Sequence, residues 1–226
     1  PITPDMLSPG KMHPTPFTHG DVFLPVMPFG KIPWLEAICG VTPQVSVKGN
    51  SIWGGFGEGI WPEDWWKREI EIKVNKDWLN LLVETTKHCV EKFSDNFVIA
   101  QTSIMRGPVD IMGALVGDKN VIISMYRHPE ETMRFLDKLA DVCVMVMKAQ
   151  NDVIPKFRGG YVNGWGIWAP GTVTRNQEDG AAYLSPALYK KFVQPVDRKI
   201  AQAFDYMAIH FHAAHYVHGD AVTDIK

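Results

Sequence analysis

The amino-acid sequence predicts an α/β fold in which short strands alternate with helices. Three short apolar stretches have the length of buried strands: 97–103, 161–168 and 206–213. Apolar residues recur at helical spacing in three longer stretches: 79–93, 128–150 and 184–204. Strands and helices that alternate in this way form βαβ units, whose strands lie parallel in one sheet. Doubly wound folds and (β/α)8 barrels both fit this pattern.

Each predicted helix carries a local start signal. Asn75 precedes the first periodic stretch and is a favourable N-cap residue. Pro129 stands at the first position of the second helix, where a missing backbone N–H costs nothing, and acidic residues fill its first turn. Ser185 is the predicted cap of the third helix and Pro186 its first residue. Pro195 should kink or split that helix.

The N-terminal region differs from the rest of the chain. Prolines punctuate residues 1 to 33 and no sustained period appears there. We therefore expect 1–44 to be an extended segment that wraps the core, and 45–226 to form the central part of a single domain. Within that domain, 45–53 predicts a hairpin around Lys48-Gly49-Asn50.

Composition excludes several classes of function. The formal net charge is −2 and no basic aromatic stripe appears, so nothing favours a nucleic-acid partner. No apolar run approaches the roughly 18 residues that cross a bilayer. Three widely spaced cysteines are typical of reduced thiols, which predicts a cytoplasmic location. Neither G-x-G-x-x-G nor the P-loop pattern follows a predicted strand, and no Ser-His-Asp order or H-E-x-x-H occurs.

Polar and aromatic residues follow the apolar part of all three predicted strands. In parallel sheets, ligands bind at the carboxyl ends of the strands. We therefore expect a small-molecule site there, and its candidate substrate-binding residues are Gln101, Arg106, Asn163, Trp165 and Gln177.

The stretch IHFHAAHYVH (209–218) holds four of the eight histidines. Side chains alternate along a strand, so His210 and His212 share one face and can chelate one metal ion, with a third ligand from another strand. Hydrogen bonding to an organic substrate and a structural role are the alternatives. His215 and His218 fall in the following loop, where they either reach the same site or are solvated.

The other candidates each have a simpler alternative. Arg106 could bind a carboxylate or phosphate, or be a solvated loop arginine. Asp110 could act as a base, or favour the start of a short helix. The stretch RNQEDG (175–180) places Gln177, Glu178 and Asp179 in the loop after the 161–168 strand. There they could supply a ligand or a base, or belong to a mobile charged loop; no catalytic residue is assigned.

Several motifs resemble one superfamily. RGPVDIMGALVG (106–117) followed by a Pro-Glu helix at 129 is similar to the Gly-Pro helix segment of uroporphyrinogen decarboxylases and corrinoid-linked methyltransferases. YLSPALYKKFVQPVDRKI (183–200) resembles the LSP helix of the same superfamily, including its internal proline. MPFGKIPWLEAICG (27–40) is similar to a PWLEAI segment in some members.

The resemblance implies a (β/α)8 TIM barrel of the uroporphyrinogen decarboxylase-like type, incomplete in this chain. In the superfamily's methyltransferases a His-x-Cys pair after the LSP helix binds zinc. His210 matches that histidine, and His212 replaces the cysteine. The decarboxylases carry an N-terminal R-Q-A-G-R motif, which this sequence lacks, and their tyrosine on the Gly-Pro helix falls near Ala114.

The resemblance therefore favours an enzyme that uses zinc in methyl transfer, with a corrinoid on a partner protein or a thiol as the second reactant. A homodimer is also expected. The alternatives are tetrapyrrole decarboxylation, which several arginines at the site would favour, a barrel that binds a small molecule without catalysis, and a dimerisation scaffold.

Overall fold

The computed structural model describes residues 1–11, 25–49, 51–54, 59–102, 105–210 and 218–225. The α-helices are α1 (Trp34–Ile38), α2 (Lys76–Phe93), α3 (Pro108–Val116), α4 (Asp118–Arg127), α5 (Pro129–Asn151), α6 (Pro186–Leu188), α7 (Gln194–Gln202) and α8 (Gly219–Thr223). The strands are β1 (Gln44–Ser46), β2 (Ser51–Trp53), β3 (Tyr161–Val162), β4 (Trp168–Ala169), β5 (Val173–Gln177) and β6 (Tyr206–His210). Short 3-10 turns lie at Pro4–Met6, Pro9–Lys11, Trp65–Lys67 and Asp179–Tyr183.

The parallel part of the structure follows chain order. Val26 bridges Ile99 in parallel, and the Thr174 hydroxyl donates to Gln101 Oε1 at 3.2 Å, so the segment around 99–101 lies beside β5. β5 then pairs with β6 in parallel, from Val173↔Tyr206 to Gln177↔His210. This succession is compatible with part of a TIM-barrel-like fold, although the described residues form no closed barrel.

One predicted strand is wrong. The stretch 161–168 does not join the parallel sheet, because β3 and β4 pair antiparallel as a small hairpin. The strand that pairs with β6 is β5, which includes the first residues of the stretch predicted to be a loop, RNQEDG. Most of its side chains are polar yet buried, so the hydrophobic period did not reveal it.

The local start signals are confirmed. Asn75 Oδ1 accepts hydrogen bonds from the backbone N–H groups of Asp77 and Trp78 at 3.1 and 3.3 Å. Ser185 Oγ accepts from Leu188 N at 3.3 Å. The helix that begins at α6 runs through a π-helical turn at Tyr189–Val193 and continues as α7, so the interruption predicted from Pro195 takes the form of a widened turn.

The hairpin at 45–53 is also confirmed, since β1 and β2 pair antiparallel from Gln44↔Trp53 to Ser46↔Ser51. The division of the chain at residue 44 stays a prediction. However, α1 lies within the proposed N-terminal segment, all five of its residues are buried, and the four apolar ones belong to the main core. The part of that segment around α1 therefore belongs to the core rather than to a surface wrapping.

The main core packs α1, α3 and α5 around a set of large apolar side chains. Its fully buried members include Trp34, Leu35, Ile111, Phe135, Leu136, Leu139 and Phe192. The three cysteines are free and buried. Within the described ranges, no helix is both long enough and apolar enough to cross a membrane.

Replacing the cap of α2 should destabilise the fold. Asn75→Ala removes the acceptor of two backbone N–H groups, and we expect it to lower the free energy of unfolding by about 1 kcal/mol. Asn75→Asp keeps an acceptor at the same place and is the matched control. Urea denaturation measures the free energy of unfolding of both variants. An equal decrease in the two would contradict a stabilising role for the hydrogen bonds that the cap accepts.

Candidate functional site at the carboxyl ends of the parallel strands

The two faces of the β5–β6 pair have different surroundings. Thr174 and Asn176 point towards the helices, since Thr174 contacts Met147 Sδ of α5 and Asn176 donates to Asp197 of α7. Side chains alternate along a strand, so Arg175 and Gln177 lie on the opposite face. Their partners in register on β6 are Ala208 and His210. We call the face that carries Arg175, Gln177 and His210 the inner face.

The turn of the β3–β4 hairpin covers the inner face. The Trp165 ring lies 3.9 Å from the Arg175 guanidinium carbon and 5.4 Å from the His210 ring. Asn163 is fully buried and shapes the turn, because its Oδ1 accepts from the backbone N–H groups of Trp165 and Ile167. Asn163 therefore fixes the backbone of the turn that carries Trp165.

Gln177 connects opposite charges at the carboxyl end of β5. Its Oε1 accepts from Arg175, and its Nε2 lies 2.9 Å from both carboxylate oxygens of Asp179. One carboxamide thus fixes a cation on the inner face and an anion at the rim. The polar end of β5 is built by side chains that were predicted to lie in a loop.

Behind the strand end lies a group of buried acids, here called the acid cluster (Asp110, Glu178 and Asp197). Asp197 accepts from Asn176 Nδ2 at 2.6 Å and from the Tyr189 hydroxyl at 3.0 Å. Glu178 accepts from Val109 N at 3.0 Å, near the start of α3. Burial raises the pKa of all three carboxyl groups, that of Asp197 to about 7.

Arg106 and Asp110 tie the loop before α3 to the acids around it. Arg106 donates to Glu36 Oε1 at 3.1 Å, and its Nε lies 3.5 Å from Asp110 Oδ2. Asp110 also accepts from the backbone N–H groups of Asp179 and Gly180. Asp110 therefore holds the turn after β5, and Arg106 is an ion-paired arginine rather than a solvated one.

The candidate residues separate into two groups. Trp165, Gln177 and His210 meet at the inner face or its rim, with Asn163 supporting them. Gln101 points the other way, since it donates to Asn151 and to the Met147 carbonyl on the helix side. Arg106 lies beside a cavity of about 490 Å³, which is also lined by Trp53, Asp118, Lys119, Asp179 and Tyr183.

The histidine run is only partly described. His210 lies in β6, whereas His212 and His215 lie outside the described residues. His218 was predicted to lie in a loop, where it would either reach the site or be solvated. Solvation is wrong, because the residue is only 1% exposed. Its ring stacks on the Tyr189 ring with 4.4 Å between centroids, and its Nε2 lies 3.1 Å from the Ala181 carbonyl oxygen.

Sequence patterns missed one member of the acid cluster, Asp197. Asp197 sits in a helix whose sequence gave no sign of a buried charge, and its partners Asn176 and Tyr189 are 21 and 8 residues away. Arg175 lies two residues before the candidate Gln177 but was not among the candidate substrate-binding residues. The available signal was the unbroken polar run from Thr174 to Asp179 after an apolar residue.

Part of the chain matches the model of a known protein family. The uroporphyrinogen decarboxylase (URO-D) family model matches residues 61–153, which include α2 to α5. This part of the chain therefore resembles the URO-D family. The motif quoted from 106–117 lies within the matched range, and the superfamily resemblance that the motifs predicted is confirmed. No curated protein is similar enough to the chain to match it.

A solved structure, a methyltransferase from Methanosarcina mazei, resembles this chain in fold. The TM-score is 0.64 at 15% sequence identity, and the similarity covers 86% of this chain and 53% of that one. The chain thus spans about half the length of the structure it matches.

The acid cluster should make stability depend on pH. The Asp197 pKa is about 7 in the fold and near 4 in an unfolded chain, so between these values the unfolded chain holds fewer protons. The free energy of unfolding then falls as pH rises from 4 to 7, by up to about 1.4 kcal/mol per pH unit for each such group. Asp197→Asn should flatten this slope.

Urea denaturation at several pH values measures the effect. Asp5→Asn, at an exposed surface position, is the control and should keep the wild-type slope. An unchanged slope in Asp197→Asn would mean that Asp197 is already ionised in the folded protein at low pH.

Proposed function

We propose that this URO-D-like chain takes part in methyl transfer to or from a small substrate bound at the inner face. The observation that carries the proposal is the register pair Gln177↔His210 at the carboxyl ends of two parallel strands. Substrates bind at this end of parallel α/β sheets. The fold similarity to a methyltransferase supports the same assignment.

Methyl transfer makes modest demands that the inner face meets. The acceptor atom must be deprotonated and aligned with the methyl carbon, and water must be kept from that line. Trp165 covers the face, and Gln177 offers a carboxamide whose position is fixed by Arg175 and Asp179. His210 stands at the rim, where a neutral imidazole can accept a proton or bind a metal ion.

Zinc is the proposed cofactor, and His210 is the ligand that the described residues contribute. Bound zinc would lower the pKa of an acceptor thiol. Among the described residues, no three His, Cys, Asp or Glu side chains form a group that could hold a metal ion. The donor set therefore has to include residues outside them, and His212 is the proposed second ligand.

Tetrapyrrole decarboxylation is less well supported. A substrate with many carboxylates needs several free cations, and Arg106 is already paired with two carboxylates. Within the described part of the chain, Arg175 is the arginine that the inner face presents. A small substrate with few charges fits this arrangement better. A corrinoid on a partner protein is the proposed methyl donor.

The test supplies methylcobalamin as donor and 3-mercaptopropionate as acceptor to the full chain with zinc, under anoxic conditions. The methyl group leaves cobalt without its bonding electrons and joins the thiolate sulfur, so cobalt goes from Co(III) to Co(I) and the thiol proton is released. Optical spectroscopy follows the cobalamin and mass spectrometry the thioether. Absence of both products would contradict the proposal.

A His210→Ala variant tests the metal ligand separately. We expect its zinc affinity to fall at least tenfold, with loss of methyl transfer, because one ligand is removed. His128→Gln is the control, since that imidazole stacks on Trp66 at the start of α5. Unchanged zinc content in His210→Ala, measured by elemental analysis, would remove His210 from the metal site.

A further inference from the structure

Arg175 is a buried cation for which the described part of the chain offers no ion-pair partner. The residue is 2% exposed, its Nε has no hydrogen-bond partner, and its side chain donates to the neutral Gln177. Burial lowers its pKa to about 10, and the more distant carboxylate of Asp179 offsets this only in part. A buried charge of this kind costs free energy unless an opposite charge pairs with it.

Arg106 shows what this chain does with a structural arginine. Two carboxylates, Glu36 and Asp110, lie within 3.5 Å of its guanidinium. Arg175 is more deeply buried and, within the described ranges, receives no carboxylate at such a distance. The difference indicates that the partner of Arg175 is supplied by something other than these side chains.

We propose that Arg175 anchors a carboxylate group of the substrate at the inner face. The inference rests on the proposed function, because it names the class of substrate that this site would take. Arg175 shares the inner face with Gln177 and His210, so an anchored ligand would extend towards the carboxyl end of β5 and β6.

The geometry favours a planar anion. Trp165 stacks over the guanidinium at 3.9 Å and blocks approach to that face of the cation. A ligand must therefore arrive in the guanidinium plane, at the edge that carries Nε, where two N–H groups match the two oxygens of a carboxylate. Gln177 gives up its bond to Arg175 when this happens and keeps its bonds to Asp179.

Trp165 is the side chain that has to move when a ligand binds to Arg175. It is 37% exposed although it covers a buried cation, and it stands in a five-residue turn in which two backbone N–H groups donate to Asn163 Oδ1. A ligand that reaches Nε passes the edge of the indole ring. Binding should therefore change the surroundings of Trp165 directly, which gives a local signal.

The experiment measures ligand binding to the full chain labelled with 5-fluorotryptophan, using ¹⁹F NMR. The Trp165 resonance is assigned as the one missing from Trp165→Phe. Propionate and propionamide are the probes, because they have the same size and differ in charge. No methyl donor or metal is present, so the result does not depend on methyl transfer.

We expect propionate to shift the Trp165 resonance saturably and propionamide to bind at least tenfold more weakly. Arg175→Lys keeps the charge but removes Nε, and should weaken propionate binding at least tenfold. Arg134→Gln removes a surface arginine and should leave binding unchanged. If Arg175→Lys does not fold, the comparison of propionate with propionamide on the wild-type chain still decides.

Equal binding of the two probes, no saturable response to propionate, or full binding by Arg175→Lys would each overturn the proposal. Methyl transfer without carboxylate binding would leave the proposed function intact and remove the anchor. Carboxylate binding without methyl transfer would do the reverse.

Discussion

The close approach of Gly107 to the end of β5 is the constraint on which the site depends. Gly107 N donates to the Gln177 carbonyl at 2.6 Å, and a Cβ added at Gly107 would lie 2.1 Å from Glu178 Oε1. A side chain cannot be fitted there without moving a buried carboxyl group. The absence of a side chain at this position lets the start of α3 meet the strand end, so that residues from both sit together.

This contact places the acid cluster next to backbone N–H groups, whose partial positive charge favours a carboxylate. The first turn of α3 presents free backbone N–H groups, and a carboxyl group accepts one of them at Val109. The buried acids are therefore hydrogen-bonded rather than isolated, which reduces the cost of removing them from water. The cluster stays costly nonetheless, since burial raises the pKa of each member.

Local signals in the sequence predicted the helices well, because a cap or a proline acts within a few residues of itself. Asn75, Pro129 and Ser185 each mark the helix start that the structure has. β5 was not predicted because it is a buried strand made mostly of polar residues. Thr174 and Asn176 are hydrogen-bonded to groups more than twenty residues away, and the Trp165 ring covers Arg175; no period of the sequence records such contacts.

The same reasoning explains the site. The position of His210 on a strand followed from the apolar run and the helix before it, and the structure places His210 in β6. The pairing of Gln177 with His210 could not be predicted from the sequence, because it depends on the register between two strands. Registers are fixed by packing on both faces, which a single sequence does not display.

The π-helical turn at Tyr189–Val193 makes the length of the helix between Ser185 and Asp197 matter as much as its composition. Such a turn accommodates one more residue than regular α-helix and rotates everything after it by about 100°. Tyr189 and Asp197 meet across this turn, and Asp197 faces Asn176 because of it. A chain shortened by one residue here would keep its caps, its proline and its apolar content, yet would turn the carboxyl group away from the strand.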